Sequence, residues 1–224
     1  MLNDFGNDDL IDNPTTRVPV CLCLDTSGSM LGQPIDELNR GLKQFFQEVA
    51  ADEVAQSAAD ICIVTFGDKG ARLFQDFSSL EATACPQLTA SGGTPMGEAL
   101  TIALDKLEQR KQKYKDSGVD YWQPWLVLMT DGQPNGDKLA LEAACLKASS
   151  LQAEKKLNIF PIGIGKDADM TVLSRVSPYR TPLKLAGLKF VEFFQWLSRS
   201  VSRTSQSIPG EKVELPPNGD WTTL

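Results

Sequence analysis

Short apolar runs rich in β-branched residues alternate along this chain with stretches of helical spacing, and the runs halt abruptly at small polar residues. The runs are residues 18–24, 61–66, 122–129 and 157–164. Uninterrupted apolar runs of this length read as strands buried on both faces. After the first of them, Ile35, Leu38, Leu42, Phe45, Phe46 and Val49 recur at helical spacing, with Pro34 suited to the first turn and Asp36 and Glu37 at its positive end. Met96, Leu100, Leu104 and Leu107 mark a second helix, and residues 139–153, 170–176 and 188–201 three more. Residues 67–70 form a tight turn from 61–66 into 71–77, which predicts a hairpin, and 181–185 is a last short strand. Strands alternating with helices predict an α/β fold: a doubly wound, mostly parallel sheet with one antiparallel edge strand. At 224 residues, one such domain over 17–205 is expected, between an acidic, flexible leader over 1–16 and an extended C-terminal tail over 206–224.

In open parallel sheets ligands bind beyond the carboxyl ends of the strands, so the polar residues placed there carry the functional weight. The first strand ends in Asp25, Thr26, Ser27, Gly28 and Ser29, a glycine-rich stretch before the second helix ends in Thr94, and the third buried strand ends in Asp131. Each alone is ordinary turn or cap chemistry. An Asp-x-Ser-x-Ser string arises by chance in about one chain of this length in twenty. Two such segments directly after buried strands, joined by Ser-Gly-Gly-Thr before a helix, are another matter, and all three are expected to converge on one sheet edge. Together they offer three hydroxyls and two carboxylates without imidazole or thiolate, a hard-oxygen set that suits Mg2+, Mn2+ or Ca2+. Neutral hydroxyls leave the ion's charge largely unquenched, so such an ion keeps a position for a carboxylate from a partner.

The strings Cys-Leu-Asp-Thr-Ser-Gly-Ser-Met, Ala-Ser-Gly-Gly-Thr-Pro-Met-Gly and Leu-Met-Thr-Asp-Gly-Gln-Pro resemble the three segments of the metal-ion-dependent adhesion site of von Willebrand factor type A domains. The resemblance covers about residues 17–205. It implies that Ser27, Ser29 and Thr94 give hydroxyls to a divalent cation, with Asp25 and Asp131 binding directly or through water. Tyr-Trp-Gln-Pro-Trp at 121–125 and Phe-Phe-Gln-Trp-Leu-Ser-Arg-Ser-Val at 193–201 resemble the bacterial intracellular TerY-like branch. That narrower likeness implies a place in tellurite-resistance or stress-response gene clusters, with a kinase or phosphatase encoded nearby as a partner. In the wider family the last helix shifts when the metal rearranges.

Composition closes off other classes. The chain has no histidine, the usual base for activating a serine or cysteine nucleophile. A rival reading makes Asp25 the nucleophile of a magnesium-dependent phosphatase or phosphotransferase, as in haloacid-dehalogenase-like enzymes. Those carry a second Asp two residues on, where this chain has Ser27. With 29 acidic against 22 basic residues, a net charge of −7 disfavours nucleic acid as a partner. The start of the chain has neither the basic residues nor the apolar run of a signal peptide, and no stretch is long enough to span a bilayer, so the expectation is a cytoplasmic protein without a membrane role. Of five cysteines, four lie in or beside apolar runs and fit buried reduced thiols. Arg110 to Lys115 reads as a solvated helix end, and Tyr121, Trp122 and Trp125 as core or rim packing. The whole predicts a non-catalytic, metal-dependent interaction module that takes an acidic residue of a protein partner.

Overall fold

A computed structural model describes residues 10, 13, 15–79, 85–208 and 213–223. Most of the expected flexible leader, and residues 209–212 and 224 of the tail, lie outside these. Seven strands form one sheet: β1 (Val18–Thr26), β2 (Ala59–Gly67), β3 (Gly70–Ser79), β4 (Trp125–Thr130), β5 (Asn158–Ile164), β6 (Leu183–Leu185) and β7 (Thr222–Thr223). The spatial order is β3-β2-β1-β4-β5-β6-β7. Pairings from β2 through β6 are parallel, and β3 closes one edge antiparallel, as the hairpin reading requires.

Period-two alternation in β1 builds two cores at once. Val18, Val20, Leu22 and Leu24 enter one, Cys21 and Cys23 the other. On the first face lie α1 (Gln33–Ala50) and α6 (Phe190–Ser205). They approach so closely that a Cβ on Gly41 would stand 2.6 Å from the Phe194 ring. On the second face lie α3 (Met96–Ser117) and α4 (Lys138–Ala153). Two short helices complete the set, α2 (Glu53–Ala58) and α5 (Met170–Val176), each started by an aspartate whose carboxylate accepts from two first-turn N–H groups. Among the described residues no helix is long and apolar enough to cross a membrane.

Tertiary structure departs from the sequence reading in three places. The third strand begins at Trp125, three residues later than expected, because residues 121–124 run beside Arg17, whose carbonyl accepts from Trp122 N at 2.8 Å. The basic end of α3 is only partly solvated. Arg110 is 3% exposed because it pairs with the buried carboxylate of Asp60 at 2.5 Å, and Lys111 is also buried. Lastly, the tail is docked: Trp221 is 1% exposed, its ring 5.1 Å from that of Phe193 and 5.4 Å from that of Trp196. Behind it Thr222 and Thr223 pair antiparallel with β6, adding a second antiparallel edge. All five cysteines are free; four are buried and Cys85 is exposed.

Candidate metal centre

The chain passes from β1 to β2 and β3 on one side, then returns to add β4 on the other, so β1 and β4 flank the point where winding reverses. Crossovers leave in opposite directions there, and a crevice opens beyond the strand ends. Asp25 stands on the last turn of β1 and Asp131 directly after β4. Residues 91–94, just ahead of α3, run against the end of β1 and place Thr94 beside them.

Hydrogen bonds stitch the three segments together. The first and second are joined by Ser91 N to Thr26 O at 2.8 Å and Gly28 N to Gly92 O at 2.9 Å. Gly92 must be glycine: its φ is +75°, and a Cβ would lie 2.3 Å from Asp68 Cα. Second and third are joined through Asn135, whose Oδ1 accepts from Thr94 N at 2.7 Å and whose N donates to Thr94 O at 3.1 Å. First and third are joined by side chains. Ser29 Oγ donates to Asp131 Oδ1 at 2.7 Å, and Thr130 Oγ1 donates to Asp25 Oδ2 at 2.6 Å.

Depth sorts these groups. Asp25 forms the floor, fully buried, with Oδ1 accepting from Ser27 N at 2.8 Å and Oδ2 from Thr130. Ser27 is buried above it, its Oγ 3.0 Å from Ser29 Oγ, while Ser29 is exposed and Asp131 half-buried at the rim. Thr94 is buried at the side. Burial pushes the Asp25 carboxyl above the ordinary range, against the hydrogen bonds from Ser27 and Thr130, and the charge of Asp131 pushes it further. Asp131 is likewise raised by burial, and further by the charge of Asp167. Two carboxylates, one buried and one half-buried, thus stand near each other at the ends of β1 and β4, an arrangement that a divalent cation would relieve.

Of the residues the sequence singles out, hydrogen bonds bring Asp25, Ser27, Ser29 and Asp131 together, and Thr94 is held beside them through its backbone by Asn135. Among the described residues no three His, Cys, Asp or Glu side chains cluster as a metal-binding group. The available donors are therefore two carboxylates and three hydroxyls, which fit a hard cation that keeps water ligands and exclude a thiolate or imidazole site. Two residues that shape the site lay outside the sequence reading. These are Thr130 and Asn135, whose roles depend on partners 105 and 41 positions away.

A model of the von Willebrand factor type A domain matches residues 20–181. An uncharacterized protein of Synechocystis sp. is 26% identical over 174 residues, covering 74% of this chain and 37% of that protein, so the chain spans little more than a third of the relative's length. Among solved structures, a von Willebrand factor type A protein from Catenulispora acidiphila aligns with a TM-score of 0.62 at 20% identity, covering 84% of this chain and 43% of that one. The mussel byssus proximal thread matrix protein 1, in a form whose MIDAS motif is occupied by zinc, aligns with a TM-score of 0.52 at 16% identity, covering 84% and 48%. At these identities the structures establish a shared fold.

Proposed function

We propose that this chain, which belongs to the von Willebrand factor type A domain family, is a non-catalytic interaction module that holds Mg2+, Mn2+ or Ca2+ on Ser27, Ser29, Thr94 and Asp131, with Asp25 behind them, and uses the ion to take a carboxylate from a protein partner. The observation that carries this is the file of oxygens from Ser27 through Ser29 to Asp131, linked at 3.0 and 2.7 Å and open to solvent at the Asp131 end. A cation there would displace the hydrogen bond between Ser29 and Asp131, the hydroxyl keeping its proton and turning a lone pair to the ion. It would meet one carboxylate directly and so keep enough charge to attract an outside anion. The zinc-occupied motif of the mussel protein is a precedent for a divalent ion on this fold.

Burial argues against the phosphatase reading. Both oxygens of Asp25 accept protein hydrogen bonds and the residue has no exposed surface, so neither oxygen has an approach to a phosphorus atom. For the cellular setting we propose a bacterial cytoplasmic stress-response assembly of the tellurite-resistance type, with a kinase or phosphatase as the acidic partner, on the strength of the TerY-like strings at 121–125 and 193–201.

Thermal unfolding in EDTA, Mg2+, Mn2+ and Ca2+ tests the metal, since a ligand bound only by the native state raises the midpoint. At least one ion should stabilise the wild type by several degrees and leave Asp131→Ala unmoved. Equal midpoints under all conditions would remove the ion from the mechanism. Partner capture abolished by EDTA and restored by the ion then tests the carboxylate step.

A further inference from the structure

At the opposite end of the sheet, where β4 and β5 begin, lies a cavity of about 380 Å3. That is within the range of small-molecule sites, roughly 300–1,000 Å3. Two buried polar side-chain atoms in its wall have no hydrogen-bond partner, and its one cationic side chain has no ion pair among the described residues. The Arg180 guanidinium lies over the Phe160 ring, 4.2 Å from its centroid, half-buried and without an ion pair among the described residues. The indole Nε1 of Trp122 and the hydroxyl of Thr204 are buried in the wall with no hydrogen-bond partner. These groups come from four separate stretches of chain, so their convergence is a property of the fold.

Two other buried groups of the same kinds are matched, whereas Trp221 Nε1 is buried without a hydrogen-bond partner. Arg110 has Asp60 at 2.5 Å, and Trp196 Nε1 donates to Pro216 O at 2.9 Å. At Arg180 burial pulls the guanidinium below its ordinary value and no neighbouring charge opposes that. A desolvated cation without a counter-charge is costly and is the arrangement an incoming anion repairs. Beside it the cavity is apolar. Trp125 packs on Phe160 with ring centroids 5.2 Å apart, and Val213 and Leu215 of the tail close the far wall.

We infer that this cavity binds a small amphipathic anion, an aromatic carboxylate or sulfonate, with its acidic group on Arg180 and its ring between the tryptophan wall and the tail. The planar fork of a guanidinium matches a carboxylate or sulfonate with two parallel hydrogen bonds, and the Gln123 and Asn158 amides at the mouth can meet a polar substituent. The site is independent of the proposed metal centre, lying at the other end of the same strands.

The test is a fluorescence titration of the full chain with 8-anilinonaphthalene-1-sulfonate, in EDTA so that no ion at the other end recruits the sulfonate. Uncharged N-phenyl-1-naphthylamine is the control. Saturable one-to-one binding to the native wild type is expected. Arg180→Met removes both hydrogen bonds and should weaken the sulfonate by at least about tenfold, the scale of a single charge-assisted hydrogen bond, and leave the uncharged probe within about twofold. Thermal unfolding establishes that the variant is folded; if it is not, Arg180→Gln replaces it with the same expectation. Absence of saturable binding to the wild type, or equal sulfonate affinity in the Arg180 variant, overturns the assignment.

Discussion

Thr130 Oγ1 and Asp25 Oδ2, 105 residues apart in the chain, meet at 2.6 Å beneath the candidate metal centre. Each closes a parallel strand, and β1 and β4 are neighbours, so the bond joins the two strands that flank the reversal of winding. Replacing Thr130 with valine keeps the shape and removes the donor, leaving a buried carboxylate oxygen unmatched. Thr130→Val should lose about 2 kcal/mol, a drop of roughly 4–8 °C in midpoint for a domain of this size. Calorimetry on the EDTA-treated protein checks this apart from any ion.

Asn135 holds the second and third segments together through both its side chain and its backbone. Asn135→Ala leaves Thr94 N without its acceptor while altering none of the five oxygen-bearing side chains. Groups that orient ligands commonly weaken metal binding by about 10- to 100-fold when removed. Titration calorimetry with the ion that stabilises the wild type should show a loss of at least about tenfold. Unchanged affinity would mean that the segments hold their places without it.

Asp52 caps α2, accepting from Val54 N and Ala55 N at 3.1 Å each. Those hydrogen bonds, with one from Ser202, hold its carboxyl below the ordinary range against a smaller opposing effect of burial. A depressed folded value means that the cap contributes fully above the unfolded pKa, about 4, and is lost as pH falls through the folded value. Asp52→Ala should therefore cost about 1 kcal/mol at pH 7. The gap between mutant and wild type in urea unfolding should close as the pH is taken to about 2.

Trp221 fastens the tail against Phe193 and Trp196 of α6 and sets up the pairing of Thr222 and Thr223 with β6. Trp221→Ala should cost about 3–5 kcal/mol. Limited proteolysis followed by mass spectrometry should show the C-terminal segment removed at protease levels that leave the wild type whole.

Local order in the chain was enough to determine the alternation of strands and helices and the hairpin at 67–70, and to single out the five oxygen-bearing residues as candidates. Each rests on something local: an unbroken apolar run, a helical period, a glycine pair, or a polar cluster that halts a strand. Strand ends in a parallel sheet share one edge, so the approach of Asp25 and Asp131 followed from topology, whereas Thr94, just ahead of a helix, is tied to them by the hydrogen bonds of Ser91, Gly92 and Asn135. Only the tertiary structure decided that Thr130 and Asn135 support that edge, that Arg110 turns inward to Asp60, and that Trp221 anchors a tail whose composition reads as loose. These outcomes depend on pairings between segments dozens of residues apart, and a side chain's partner across such a distance is set by packing and burial, which leave no periodic trace in the sequence around it.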